Sequence, residues 1–253
     1  LKENSYATSS EQVDLQVGED GYTPYMYGSL EESNEITVRD IYYEYTKTFD
    51  PAKFAPGESG YITMPSQVEN KGWSQTYYYP ENAIDLGLSV RWAKTNVGAS
   101  ISTNSGIFCA WGDPEGTYNL TSTNYNRDVS EIAGNPEYDI ATNLWNERWQ
   151  IPTKEQWQEL IDECTWEYQH DSDHNLHGYL VTGTNGNSIY LPMYNYIIGT
   201  NEPGESEYPG YYWSSTEQND YHAYCMYLYT SSHNVNNYEY KYYRMLVRPV
   251  LAK

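Results

Sequence analysis

The chain has 253 residues, 39% of them hydrophobic, with 35 Asp and Glu against 14 Lys and Arg. That length suits two modest domains or one large β-rich one. The net charge of −21 argues against sequence-independent nucleic-acid binding, which needs clustered cations, and no apolar run approaches the roughly 18 residues that cross a bilayer.

Leu1 opens directly into Lys2-Glu3-Asn4-Ser5, which predicts a chain whose original N-terminus has been removed. Residues 1–82 carry short runs rich in β-branched and aromatic residues at 22–27, 36–45, 60–64 and 75–79. Pro, Gly and acidic clusters separate them, as in a small β-sandwich, and Ile41-Tyr42-Tyr43-Glu44-Tyr45 resembles a fibronectin-type-III strand. Pro80-Glu81-Asn82 is the expected boundary, so the second domain is 83–253.

That domain opens with 83–93, expected as one strand bent at Gly87. Residues 96–136 are turn-rich. Two helices follow. Asp139 is an N-cap for the first, with Ile140, Asn143, Leu144 and Trp145 as a partly apolar face. Thr153 and Gln156 form a capping box for the second, which presents Trp157, Leu160, Ile161 and Cys164. Residues 179–182 and 188–191 read as strands around an Asn185-Gly186 hairpin turn, and 245–251 as a closing hydrophobic strand. The fold class is therefore α+β, preceded by a small β-rich domain.

Between Tyr208 and Tyr243 there are 11 tyrosines in 36 positions, out of 30 in the chain, set among Asn, Ser, His and Thr. A core would use Leu, Val and Phe. Rigid amphipathic rings among small polar side chains are the chemistry of a binding surface. From Glu205 onward five acidic residues face four basic ones, a net of −1 that leaves −20 on the first 204 residues. Recognition there rests on shape, stacking and hydrogen bonds more than on long-range steering. In a strand over 224–229 alternate tyrosines point opposite ways, so about half are expected inside. Residues 231–240 read as a loop, since Val235 is their only aliphatic.

Seven segments carry a resemblance. They are Ile84-Asp85-Leu86-Gly87-Leu88-Ser89-Val90-Arg91-Trp92-Ala93 with Asn96-Val97-Gly98-Ala99, then Ala110-Trp111-Gly112 and Trp149-Gln150-Ile151-Pro152-Thr153-Lys154-Glu155-Gln156-Trp157. Asn185-Gly186-Asn187-Ser188-Ile189-Tyr190-Leu191-Pro192, Tyr211-Tyr212-Trp213-Ser214-Ser215-Thr216 and Val247-Arg248-Pro249-Val250 complete the set. In this order they resemble the Fibrobacter-type major paralogous domain of gut Bacteroidetes surface proteins. The resemblance implies a C-type-lectin-like fold, shared with formylglycine-generating enzymes and retroelement-diversified variable proteins. In it the first and last strands pair, here 86–92 beside 245–251. Arg244-Met245-Leu246 and Lys241 depart from the family's usual ending.

Ligand contacts in the diversified members precede the last strand. Carried over, they fall on Tyr221, His222, Tyr224, Tyr227, Tyr229, His233, Asn234, Asn236, Asn237, Tyr238, Glu239, Tyr240 and Tyr242. Adenine changes in an Asn codon yield Tyr, His, Asp, Ser, Thr or Ile, the set that dominates here; a fixed tyrosine-rich surface is the alternative. Trp92, Trp111, Trp149, Trp157 and Trp213 are expected in the core, and Tyr211 and Tyr212 as packing.

Catalysis is not expected. The enzymes of this fold need reactive cysteines and an Asn-x-Trp-Glu-Trp calcium signature, but this chain has Tyr-Tyr-Trp-Ser-Ser-Thr, and no cation flanks Cys225. No Gly-x-Ser-x-Gly elbow or phosphate loop appears. Cys109, Cys164 and Cys225 read as buried thiols, with one disulfide plus a free thiol as the alternative. Glu202-Pro203-Gly204 and Trp213-Ser214-Ser215 lack the ligands of calcium-dependent sugar binding. The cluster His170, Asp171, Asp173, His174 and His177 has metal-donor chemistry but reads as a solvated loop between helix and strand. No metal and no cofactor are expected. The chain reads as a non-enzymatic ligand-binding or adhesion protein at the cell surface or secreted, an outer-membrane-anchored lipoprotein, whose partner is a protein or glycan of a host, bacterial or phage surface. A calcium-independent carbohydrate-binding module and a pilus-tip structural protein are the alternatives.

Overall fold

A computed structural model describes residues 79–117, 120–125, 129–199 and 209–252, together with six strands within residues 1–78. The chain divides into two compact units, Leu1–Pro80 and Glu81–Lys253. In the first, β1 (Ser5–Thr8) and β2 (Glu11–Asp14) form a hairpin. Strands β3 (Tyr25–Tyr27), β4 (Glu35–Arg39), β5 (Tyr43–Thr48) and β6 (Ser74–Tyr77) form an antiparallel sheet in that order. The run expected over 36–45 is thus two strands that fold back on each other, pairing Val38 with Tyr45. The run at 60–64 lies outside the described residues.

In the second unit β7 (Ala83–Ile84) and β8 (Val90–Ala93) pair antiparallel, Ile84 opposite Trp92. The segment expected as one bent strand therefore reverses direction. Gly87 takes φ +86°, a region open to glycine, and its N–H donates to Asp85 Oδ1 at 2.9 Å. The closing strand β16 (Val250–Ala252) lies beside β8, Val250 opposite Trp92, and on its other side pairs with β9 (Trp149–Gln150). The second and last strands of the unit are therefore neighbours, while β7 lies outside β8 at the sheet edge. The closing strand is shorter than the hydrophobic run, because Pro249 has no N–H for a ladder. Met245 and Leu246 instead make single bridges to Cys109 and Tyr212.

Helix α1 (Ile140–Leu144) is only five residues long and follows Asp139, whose carboxylate accepts from the Ala141 and Thr142 N–H groups. Too short for a full amphipathic face, it buries Ile140 and Ala141 and leaves Leu144 44% exposed. Helix α2 (Lys154–Glu163) starts on its capping box: Thr153 Oγ1 accepts from Gln156 N–H at 3.2 Å, and Gln156 Oε1 accepts from Thr153 N–H at 2.8 Å. Such a cap contributes about 1 kcal/mol. Trp157 and Leu160 are fully buried, and Trp157 stands 4.6 Å from Trp92.

Two antiparallel three-stranded sheets complete the unit. One is β10 (Thr165–Asp171), β11 (Leu176–Thr182) and β12 (Ser188–Pro192); the other is β13 (Gly210–Asn219), β14 (His222–Tyr229) and β15 (Ser232–Tyr240). The hairpin between β11 and β12 closes on a Gly183 N–H to Asn187 carbonyl bond of 2.9 Å. Among the described residues the architecture is mostly β-sheet with two short helices. The five tryptophans assigned to the core are at most 2% exposed, and Tyr211 and Tyr212 are buried with them.

The family-like segments touch one another. Asn185 and Asn187 donate to the Asp85 carbonyl at 2.8 and 2.9 Å, and a Cβ on Gly183 would meet the Leu86 carbonyl oxygen at 2.1 Å. The 84–87 turn and the 183–187 turn are therefore two halves of one contact.

Candidate functional site

The sheet β13-β14-β15 carries all thirteen candidate contact residues, on β14, β15 and the turns that flank them. Residues 232–240 form a strand rather than a loop. Backbone pairing with β14 orders them, and the single aliphatic Val235 is fully buried. Cys225 pairs with Asn237 and Tyr227 with Asn234, so one residue of β14 faces two of β15. The extra residue is a β-bulge, with Asn236 exposed and Val235 kept in the core.

Pairing then sorts the side chains. His222 lies opposite Tyr240 and Tyr224 opposite Tyr238, on the face where Met226, Leu228 and Val235 enter the core and α2 packs. Ala223 opposite Glu239, Cys225 opposite Asn237, and Tyr227 and Tyr229 belong to the other face. Alternation over 224–229 does separate Tyr224 from Tyr227 and Tyr229. No tyrosine there is internal, however: Ala223, Cys225, Met226 and Leu228 fill the buried positions.

The rings form one continuous path. Tyr224 meets Tyr238 at 6.4 Å, Tyr238 meets His222 at 5.5 Å, and His222 meets Tyr240 at 4.4 Å. Tyr240 stacks on Tyr242 at 5.3 Å and touches Tyr243 at 5.6 Å. Tyr243 stacks on Tyr196 at 4.8 Å, Tyr196 meets Tyr211 at 4.8 Å, Tyr211 meets Tyr227 at 5.4 Å, and Tyr227 lies 6.3 Å from Tyr229. These separations are those of favourable aromatic pairs, worth about 0.5–1.5 kcal/mol each beyond area burial. Pre-packing of this kind lowers the ordering cost of binding. Tyr238 remains 51% exposed, Tyr240 41% and Tyr221 72%.

Several anchors hold this surface rigid. Asn219 Oδ1 accepts from the Tyr221 and His222 N–H groups, both at 2.9 Å, and fixes the turn that carries Tyr221. Buried Lys241 donates to Glu217 Oε1 at 2.5 Å and sits 4.5 Å above the Trp111 ring. Burial, then the Lys241 charge, lowers the pKa of His222, so its ring is neutral at physiological pH. At the far end His233 stacks on Trp166 at 4.1 Å, and burial lowers its pKa too. Asn234 is half-buried and bonds the Asn236 N–H, while Asn237 is half-buried beside Cys225.

Sequence reasoning missed three members of this surface. Tyr243 follows Tyr242 directly, and a tyrosine pair was the available signal. Lys154 places Nζ 3.8 Å from the Tyr224 ring centroid. Tyr211, expected as packing, is buried and backs the ring path from within. Tyr196 arrives from a distant segment through reciprocal backbone bonds between Ile197 and Arg244, which no local pattern announces.

The other sequence candidates resolve differently. The His/Asp cluster is not a loop between helix and strand but a hairpin: β10 runs to Asp171 and β11 resumes at Leu176. His170 and His177 are cross-strand partners with rings 4.3 Å apart. His174 pairs with Asp171 at 2.8 Å on the surface. Among the described residues no group of three His, Cys, Asp or Glu is arranged to hold a metal. The cysteines are free thiols; burial raises the pKa of all three, Cys164 to about 11. The segment 202–204 lies outside the described residues. No helix among the described residues is long and apolar enough to cross a membrane. No protein-family model, curated protein or solved structure matches the chain.

Proposed function

We propose that this chain is a non-enzymatic binding protein of a bacterial cell surface, in which a C-type-lectin-like domain of the Fibrobacter-type major paralogous kind presents the tyrosine-rich face of β14 and β15. The path of ten contacting rings, which runs over both faces of β14 and β15 and the segments beside them, carries the reading. Rings packed on one another keep their contact area without needing a ligand to order them. The fold assignment draws on the pairing of the opening hairpin's second strand, β8, with the closing strand β16 and on the contacts among the family-like segments.

The partner is a macromolecule of a host, bacterial or phage surface, bound without cofactor, metal or covalent chemistry. Thiols with raised pKa values are poor nucleophiles at neutral pH, which weighs against the enzymatic relatives of the fold. Retroelement diversification of the segment would produce its Tyr, Asn, Ser and His composition. Sequencing the 3′ end of the gene across a source population tests that directly, with substitutions confined to adenine positions as the expected pattern.

One observation favours a glycan as ligand. Tyr227 and Tyr229 lie parallel within 6° on one face, a platform suited to a sugar ring. Binding of the labelled chain to glycan arrays and to intact bacterial and epithelial cells, with EDTA and simple sugars as competitors, tests the function. Saturable, EDTA-resistant binding is expected. Absence of binding to every surface would remove the proposal.

A further inference from the structure

One side chain beside the ring path carries a charge that no described residue compensates. Glu239 on β15 lies opposite Ala223, whose single methyl cannot cover a carboxylate. It is half-buried, and among the described residues its carboxylate has no hydrogen-bond or ion-pair partner. Two cations near it in sequence are engaged elsewhere: Lys241 with Glu217 and Trp111, and Arg244 with the Gly199 carbonyl at 2.8 Å.

Glu239 shares its sheet face with Tyr227, whose ring meets Tyr211 at 5.4 Å, and Tyr211 leads on to Tyr196 and Tyr243. Burial first, then the Glu239 charge, raises the pKa of Tyr196 and of Tyr211. Tyr243 is pushed up to about 12 by burial, by Tyr242 and Tyr196, and then by Glu239. The rings also contact one another: Tyr196 is 4.8 Å from both Tyr211 and Tyr243, edge-on to the first and stacked on the second. A half-buried anion framed by tyrosine rings attracts a cation twice, through the carboxylate and through the negative ring faces.

We propose that Glu239, Tyr196 and Tyr243, backed by the buried ring of Tyr211, form a subsite for a guanidinium group, the arginine side chain of a protein partner. This rests on the binding face proposed above and names what one part of it takes. Arginine fits better than lysine because its planar fork pairs with a carboxylate while its face stacks on an aromatic ring. Its weaker hydration also suits a half-buried position.

The test is an NMR titration of the full ¹⁵N-labelled chain with Nα-acetyl-arginine methylamide. Parallel titrations use the lysine analogue, tetramethylammonium chloride and sodium chloride. The amide signals of Ala223 and Glu239 should shift saturably with arginine, at a midpoint on the order of millimolar, as befits a single-group probe. Glu239→Gln should weaken that midpoint about tenfold, as loss of one charge-assisted pair does. Tyr243→Leu, which keeps the carboxylate, should weaken it as well and serves if E239Q does not fold. Equal shifts from sodium chloride, or arginine binding unchanged in E239Q or Y243L, would overturn the proposal. Tighter binding of lysine or tetramethylammonium would overturn the assignment to arginine. If no cation binds but mutation of the exposed tyrosines still abolishes cell binding, the binding face stands and this subsite falls.

Discussion

Arg248 and Asn96 are 152 residues apart, yet Arg248 Nε donates to Asn96 Oδ1 at 2.8 Å in a fully buried setting. The same guanidinium donates to the Ala93 carbonyl at 3.0 Å and the Tyr190 carbonyl at 2.8 Å. One planar group thus joins three family-like segments. A lysine cannot reproduce three divergent donors in a plane. Arg248→Lys should lower stability by about 3 kcal/mol, as loss of a partner in a buried charged network does. Chemical denaturation at unchanged slope is the measurement; a loss below about 1 kcal/mol would mean that the network is dispensable.

The paired turns at 84–87 and 183–187 yield a comparison within one loop. Gly183 faces the Leu86 carbonyl oxygen, 2.1 Å from where a Cβ would lie, whereas a Cβ on Gly186 would meet nothing within 4 Å. Gly183→Ala should cost about 3 kcal/mol because backbone must move. Gly186→Ala should cost about 1 kcal/mol, for its φ of +85° alone. Thermal melts of the two variants decide it, and equal losses would contradict the docking of these turns.

His233 is expected to make stability depend on pH. Burial lowers its pKa from the ordinary 6.5, and its Nδ1 is buried with no hydrogen-bond partner. The fold therefore disfavours the imidazolium, and on acidification the unfolded chain takes up the proton first. This contribution is complete above pH 6.5 and is lost as pH falls below it. His177 and His222 are shifted the same way and remain in a His233→Phe variant, which keeps a ring on Trp166. The melting temperature of wild type should therefore fall relative to H233F between pH 7 and pH 5. A constant difference would show that His233 does not titrate in the fold.

What could be read from sequence depended on how local the determinant is. The Thr153–Gln156 capping box and the Asn185-Gly186 turn are each complete within a few residues, so spacing alone revealed them. The strand at 232–240 was hidden, because its polar residues bury little and its order comes from pairing with β14 across a bulge. The hairpin through His170 and His177 was hidden for a related reason: imidazoles stack across it where β-branched residues would have announced a strand. Tyr196 joins the face through the Ile197–Arg244 bridge and the Tyr211 N–H to Tyr194 carbonyl bond, the first a contact across 47 positions in sequence that no window contains. The thirteen candidates fell on one sheet, while its two faces and the Glu239 surroundings required the register.

The central claim is that the exposed rings bind while the buried ones hold the fold. The most direct measurement compares wild type with the Tyr238→Ala, Tyr240→Ala, Tyr242→Ala triple variant in flow-cytometric binding to the cells or glycans that the screen identifies, with melting temperature recorded on the same samples. Tyrosine hot spots contribute roughly 2 kcal/mol each, so binding should fall at least about a hundredfold while the variant, though destabilised by the lost ring contacts, still melts as a folded cooperative unit. Binding retained at wild-type strength, or an unfolded triple variant, would contradict the account.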